Sequence, residues 1–280
     1  MKKLISTPSR TKKILDQFNL RAKKGFGQNF LVDPVIVEKC ASMAHAESAV
    51  IEIGPGIGSL TEALCMHAKK VIAFEVDKDL MNVLADTLSD YDNVEVILQD
   101  FLECDLEQVV TDLKQQYGSV SVCANLPYYI TTPVLFKIFE NLDISYITVM
   151  VQKEVGDRFA AKPNDTEYSA LSVEGQYLFD IKKLFTVPGR SFNPSPAVDS
   201  VIIQFSRKEN DKSNQEIQNF FTLVRACFKQ RRKTIYNNLK EYLQDGQLAT
   251  QALEKAEIPS NKRAQQLSIE ELERLFEVLQ

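Results

Sequence analysis

The segment Val50-Ile-Glu-Ile-Gly-Pro-Gly-Ile-Gly58 constrains what this chain can fold into more than any other. A short apolar run, a glycine-rich turn and a helical stretch (Ser59–Lys69) follow one another without a gap. That order reads as a buried strand passing through a tight loop into a helix. Glycines let the backbone turn sharply and approach a ligand where a Cβ would clash. Ser59 is expected to cap the first helical turn. The same alternation continues downstream. Strands are expected at Val71–Val76, Val94–Leu98, Val120–Ala124 and Ile147–Val151, with a helix over Asp77–Leu88. Strand–helix alternation implies right-handed crossovers and a mainly parallel sheet.

Two later strands, Lys182–Val187 and Val198–Phe205, have prolines and no helix between them, so they are expected as an antiparallel pair added to the sheet. After the polar stretch Lys208–Gln215 the pattern turns helical. Phe221, Val224, Phe228, Ile235 and Leu239 recur near a 3.6 period, and Ser268-Ile-Glu-Glu271 fits a capping box. The expected organisation is a basic arm (1–24), a doubly wound α/β domain (25–207) and a small all-α domain (208–280).

The net charge of −5 hides a segregation of charge. Residues 1–30 carry eight Lys/Arg against Asp16, and residues 181–240 carry twelve against four acids. Basic ends on an acidic chain point to a polyanionic partner, with solvated surface as the plainer alternative. No apolar run reaches the ~18 residues of a membrane span, and no signal-peptide pattern is present. Five scattered cysteines argue for reduced thiols and a cytoplasmic location. Two histidines and no C-x-x-C argue against a metal site.

Three positions share a register with the glycine loop. Glu75 lies 21 residues after Gly54, at the end of the second strand, where an acid in a nucleotide-binding fold accepts both ribose hydroxyls. The loop itself reads G-x-G-x-G, not the G-x-G-x-x-G of dinucleotide enzymes. Preceded by an acid, that spacing matches S-adenosylmethionine-dependent methyltransferases; a dinucleotide enzyme and a structural turn stay open on the loop alone. Asp100 closes the third strand, where a carboxylate can accept from an adenine amine. Asn125-Leu-Pro-Tyr128 closes the fourth and suits methylation of an exocyclic amine. An Asn oxygen and a proline-held carbonyl accept the two N–H groups, Tyr128 offers a stacking face, and geometry with electrostatics carries the catalysis.

With these residues in view, four segments closely resemble the bacterial 16S rRNA adenine dimethyltransferases of the KsgA type: Lys24–Leu31, Val50–Gly58, Asn125–Pro133 and Phe192–Ser200. Phe228–Leu239 and Arg263–Ser268 are similar to that family as well. The resemblance runs in order from about residue 6 to 278. It implies a Rossmann-like class I methyltransferase sheet with a helical C-terminal domain, S-adenosyl-L-methionine as cofactor, and dimethylation of two adjacent adenosines in the 3′-terminal hairpin of 16S rRNA in the assembling 30S subunit. By motif match, Gln28, Asn29 and Leu31 close over the cofactor, Gly54 and Gly56 border its methionine part, Glu75 takes the ribose and Asp100 the adenine amine. Asn125 then touches cofactor and target amine, Leu126 supplies a carbonyl, and Tyr128 and Phe192 sandwich a flipped-out base. Lys23, Lys24, Arg231, Arg232 and Lys233 are the expected RNA contacts, with Arg225, Lys229, Arg232, Lys233, Tyr236 and Lys240 along one side of a helix through 225–240. A monomer is expected, with no membrane or metal partner.

Two alternatives lie close by. The 23S rRNA macrolide-resistance methyltransferases share the layout but typically carry Ile at the position of Leu126 and are far more basic. A non-catalytic assembly factor would show a broken Gly54–Gly58 or Asn125–Tyr128 motif, and both are intact here. Tyr129 departs from the smaller polar residue that many members carry.

Overall fold

The computed structural model describes residues 3–280; Met1 and Lys2 of the expected arm, and the side chain of Lys24, lie outside the described residues. In chain order the elements are α1 (Pro8–Gln17), β1 (Phe30–Leu31), α2 (Pro34–Ser42), β2 (Ala49–Ile53), α3 (Ser59–His67), β3 (Lys70–Glu75), α4 (Lys78–Thr87) and β4 (Val94–Leu98). There follow α5 (Leu106–Tyr117), β5 (Val120–Asn125), α6 (Thr131–Glu140), β6 (Ile144–Gln152), α7 (Lys153–Ala160), α8 (Ala170–Leu178), β7 (Phe179–Val187), β8 (Phe192–Asn193) and β9 (Ser200–Arg207). The chain ends in α9 (Asn214–Phe228), α10 (Ile235–Leu243), α11 (Gly246–Lys255) and α12 (Ile269–Leu279).

Seven strands form one sheet in the order β4-β3-β2-β5-β6-β9-β7. β2, β3, β4, β5 and β6 pair in parallel, and β9 runs antiparallel to β6. The parallel strands are apolar because helices cover both faces: β2 is buried throughout and β5 nearly so. Strand order reverses between β2 and β5, and at such a reversal the loops splay apart and leave a crevice at the carboxyl ends. The late strands β7 and β9 lie side by side at one edge, as expected. The two-stranded sheet of β1 with β8, pairing Phe30 with Asn193 and Leu31 with Phe192, has no counterpart in the sequence reading.

Two local expectations are corrected. Gly58, not Ser59, is the N-cap of α3: its φ of 91° is left-handed, and a Cβ there would lie 3.2 Å from Thr87 Oγ1 and Leu88 Cδ2. The Ser59 hydroxyl is buried in the first turn without a partner. Residues 3–24 are also more than an arm. Ile5 and Ile14 pack with Ile57, Leu80, Val83, Leu84 and Leu88, and Arg10 pairs with the buried Glu62 at 3.1 Å while the Ile5 N–H donates to the same carboxylate.

Contacts divide the chain into two compact units: residues up to Gly156 with Lys182–Arg207, and Asp157–Ile181 with Lys208–Gln280. The segment 157–181, read from sequence as part of the α/β domain, groups with the C-terminal helices. Its reason is packing: Tyr177 meets Phe220 and Phe221, Tyr168 meets Phe228 edge-on, and the buried Glu174 takes two hydrogen bonds from Arg225. Among the described residues no helix is long and apolar enough to cross a membrane.

The expected helix through 225–240 is broken. α9 ends at Phe228, Thr234 caps α10 through the Asn237 N–H, and the buried Asn238 donates to the carbonyls of Cys227 and Gln230. Arg231, Arg232 and Lys233 therefore sit in a turn. The apolar stripe is as expected, with Phe221, Val224, Phe228, Ile235 and Leu239 all buried.

Candidate active site

The carboxyl ends of β2, β3, β4 and β5 surround an open cleft. Every residue expected at the cofactor or target base lines it: Gln28, Asn29 and Leu31; Gly54 and Gly56; Glu75 and Asp100; Asn125, Leu126 and Tyr128; and Phe192. Tyr129 lines it as well, exposed at the rim.

On the β2–β3 side the Gly56 N–H reaches Glu75 Oε2 at 3.3 Å, which requires the left-handed backbone at Gly56 (φ 61°). A Cβ at Gly56 would touch the Phe30 ring at 3.4 Å, an ordinary contact, so the left-handed φ and not space is what favours glycine there. Glu75 Oε1 accepts from the N–H groups of Val76 and Asp77 at 2.9 and 2.8 Å. Burial pushes the Glu75 carboxyl above its ordinary range, and these three N–H donors oppose the shift. Asp100 follows β4 and caps a short turn, with Oδ1 accepting from the Leu102 N–H at 2.9 Å. Lys137 of α6 clamps that turn by donating to the carbonyls of Leu102 and Cys104 at 2.7 and 2.6 Å.

On the β5 side Asn125 ends the strand and donates its amide to the Asn29 carbonyl at 3.5 Å, which leaves Oδ1 as its acceptor. The Leu126 side chain is fully buried and its N–H bonds to the Met150 carbonyl. The Tyr128 hydroxyl lies 2.7 Å from Oγ of the buried Ser200, a contact that fixes the ring's orientation. Phe192 is held by the β1–β8 pairing.

The sequence reading gave no role to three residues here. Ser200 lies inside a quoted motif, but only the fold brings it to Tyr128. Glu52 was read merely as the acid before the loop. It is fully buried, lines the cleft, and its Oε2 has no hydrogen-bond partner. Burial first, and the charge of Glu75 second, push its carboxyl up to about 8. Its signal was in plain view: one acid inside the apolar run Val50–Ile53. Asp77, the third, joins Gln28 and Lys23. Gln28 donates its amide to Asp77 Oδ2 at 2.9 Å, and Lys23 Nζ bonds Asp77 Oδ1 and Asp79 Oδ2 at 2.7 Å each.

Lys23, an expected RNA contact, has its ammonium paired with two carboxylates, Asp77 and Asp79. Arg231, Arg232 and Lys233 lie outside the cleft. Arg231 donates to the carbonyls of Thr166 and Tyr168, and Lys233 pairs with Glu241 at 3.8 Å.

A strand-end acid series, a glycine loop and an Asn-Leu-Pro-Tyr turn in one cleft find their match in known proteins. Residues 19–280 match the family described as ribosomal RNA adenine dimethylase. The chain belongs to that family. It is 47% identical to the ribosomal RNA small subunit methyltransferase A of Bacillus pumilus, over all of this chain and 99% of that one. Among solved structures this family member resembles a dimethyladenosine transferase from Plasmodium falciparum, with a TM-score of 0.72 at 27% identity over 88% of this chain and 95% of that chain. It also resembles the 23S rRNA methyltransferase ErmE, with a TM-score of 0.68 at 27% identity over 90% and 99%. The fold that this chain shares with rRNA methyltransferases is the Rossmann-like α/β sheet that the resemblance implies, and its parallel strands are those expected from the alternation of strands and helices.

Proposed function

We propose that this protein transfers methyl groups from S-adenosyl-L-methionine to the exocyclic amines of two adjacent adenosines in the 3′-terminal hairpin of 16S rRNA, dimethylating each during small-subunit assembly. One observation carries the reading: Glu75 and Asp100 line the same cleft as Asn125, Leu126, Tyr128 and Phe192. A nucleoside donor and a flipped adenine thus have complementary groups within one cavity. Identity of 47% over the full length to a small-subunit enzyme, against 27% to a 23S enzyme, favours the 16S target.

The donor set fits the cofactor. Glu75 Oε2 shares only one N–H and retains capacity for ribose hydroxyls, Asp100 has a second oxygen for the adenine amine, and the glycine loop leaves its backbone bare beside the tail. S-adenosylmethionine, when bound, supplies a methyl group on a sulfonium, so no protein nucleophile is needed. The chain's own residues hold the target. Asn125 Oδ1 and the Leu126 carbonyl accept the two N–H groups of the amine and turn its lone pair away from the ring, a gain realised as charge develops in the transition state. Tyr128, steadied by Ser200, and Phe192 stack on the two faces of the base, offsetting the cost of flipping it.

The helical unit would dock the RNA, with Arg232 and Lys233 beside phosphates. The setting is a cytoplasmic monomer without a metal. The test is mass analysis of the 16S hairpin adenosines in cells with and without the protein. Two dimethylated adenosines that vanish on deletion and return with the wild-type chain are expected. Unchanged 16S adenosines with a lost 23S modification would overturn the reading.

A further inference from the structure

Asp77 sits two residues beyond Glu75 and is almost fully buried. Its backbone N–H donates to Glu75 Oε1 at 2.8 Å, so it is rigidly tied to the acid assigned to the ribose. Its carboxylate faces the other way. Oδ1 accepts from Lys23 Nζ at 2.7 Å and from the Asp79 N–H at 3.1 Å, and Oδ2 accepts from Gln28 Nε2 at 2.9 Å. Gln28 Oε1 in turn accepts the backbone N–H of Lys23 at 2.9 Å. Both ends of the turn 23–28 are thus fastened to one buried carboxylate. The same strap carries Asn29, whose carbonyl meets Asn125, and Phe30 and Leu31, which line the cleft.

Capping α4 does not account for this. The cap uses one oxygen and one N–H, and an asparagine would serve as well. Phosphate binding does not account for Lys23 either, because its ammonium already bridges Asp77 and Asp79. We propose that Asp77 is a positioning residue: by gripping Lys23 and Gln28 it holds the strap of residues 23–31 across the cleft and sets how fast a bound cofactor leaves. This rests on the reading that the cleft binds S-adenosylmethionine. Gln28 and Lys23 then act through the strap instead of touching cofactor or RNA.

The test measures association and dissociation rates of S-adenosylhomocysteine for the full chain and four variants: Lys23→Met, Lys23→Arg, Asp77→Asn and the Lys23→Met/Asp77→Asn double. Lys23→Met leaves the helix cap untouched and so separates latch from fold. Loss of a charge-assisted contact that is partly exposed is expected to speed dissociation ~3–10-fold in Lys23→Met and Asp77→Asn, with association within about twofold of wild type. Because both act on one pair, the double variant is expected to be no worse than the poorer single, and Lys23→Arg to recover most of the loss. Rising salt should speed release from the wild type more than from Lys23→Met. An unchanged dissociation rate in Lys23→Met overturns the latch, as does a loss confined to melting temperature. Unchanged S-adenosylhomocysteine rates with weakened RNA binding would return Lys23 to the RNA. A wild-type chain that binds no S-adenosylhomocysteine would instead overturn the proposed function on which the latch rests.

Discussion

Replacing Glu52 by Gln tests the electrostatics beneath the glycine loop. The Glu52 carboxyl is fully buried with an orphan Oε2, and its ionisation is pushed from 4.5 to about 8. The native chain therefore keeps this proton to higher pH than the unfolded chain does. Between those two values the unfolded state binds fewer protons, so stability falls as pH rises. The slope is ~1.4 kcal/mol per pH unit, or ~5 kcal/mol at most across the window. Gln is isosteric with the neutral acid and carries no such slope. The variant is expected to differ little from wild type near pH 5 and to be ~4 kcal/mol more stable near pH 8. Urea unfolding of both chains at half-unit steps from pH 5 to 9 reads this directly as a divergence of midpoints. Parallel curves across pH 5–8 would show that Glu52 is hydrated or ionised in the native state, and the reasoning would fail.

Glu75→Ala is expected to weaken S-adenosylmethionine binding by ~2 kcal/mol, since it strips two hydroxyls of their acceptor; titration calorimetry with unchanged affinity would remove Glu75 from the site. Asn125→Ala should slow single-turnover methyl transfer far more than it weakens RNA binding, and equal losses in both would deny it the amine. Tyr128→Ala should cost ~1–3 kcal/mol of base stacking, and a Ser200→Ala chain matching wild type in single-turnover rate would show that the hydroxyl contact does not orient the ring. Arg232→Ala/Lys233→Ala should weaken 30S binding and flatten its salt dependence with the melting temperature kept, whereas Arg231→Ala should lower the melting temperature because two carbonyls lose their donor. A wild-type salt slope in the double variant would remove this turn from the interface.

The parallel half of the sheet was legible because its physics is local. An apolar run of five residues, a glycine turn and an amphipathic helix each carry their own period, and the sheet places the ends of such strands side by side. Glu75, Asp100 and Asn125 could be found from sequence since each is a polar residue at or just after the end of a strand-like apolar run. The β1–β8 ladder left no trace, because two residues per strand have no periodicity and their pairing spans some 160 residues of chain. Residues 157–181 group with the C-terminal helices for a related reason: α8 meets α9 through the Tyr177 ring against Phe220 and Phe221 and through the buried Glu174, which accepts from Arg225 fifty-one positions away, and none of these residues looks exceptional alone.

The basic segment shows where counting charges parts from reading them. Six polar positions between 225 and 240 formed a plausible helix face, and the charge total favoured an anion along it. The fold spends most of that charge internally. Arg225 pairs with Glu174, Lys229 pairs with Glu241 at 2.8 Å and leaves Lys233 a loose contact with it at 3.8 Å, and Arg231 holds two backbone carbonyls. Thr234 and Asn238, which looked unremarkable beside the arginines, decide the local structure by capping α10 and capturing the carbonyls at the end of α9. Arg232, in that turn, is exposed. The electrostatic contribution to RNA binding then scales with the cations left to meet phosphates, not with the basic residues in the sequence, and the same holds at Lys23, where two aspartates claim the charge first.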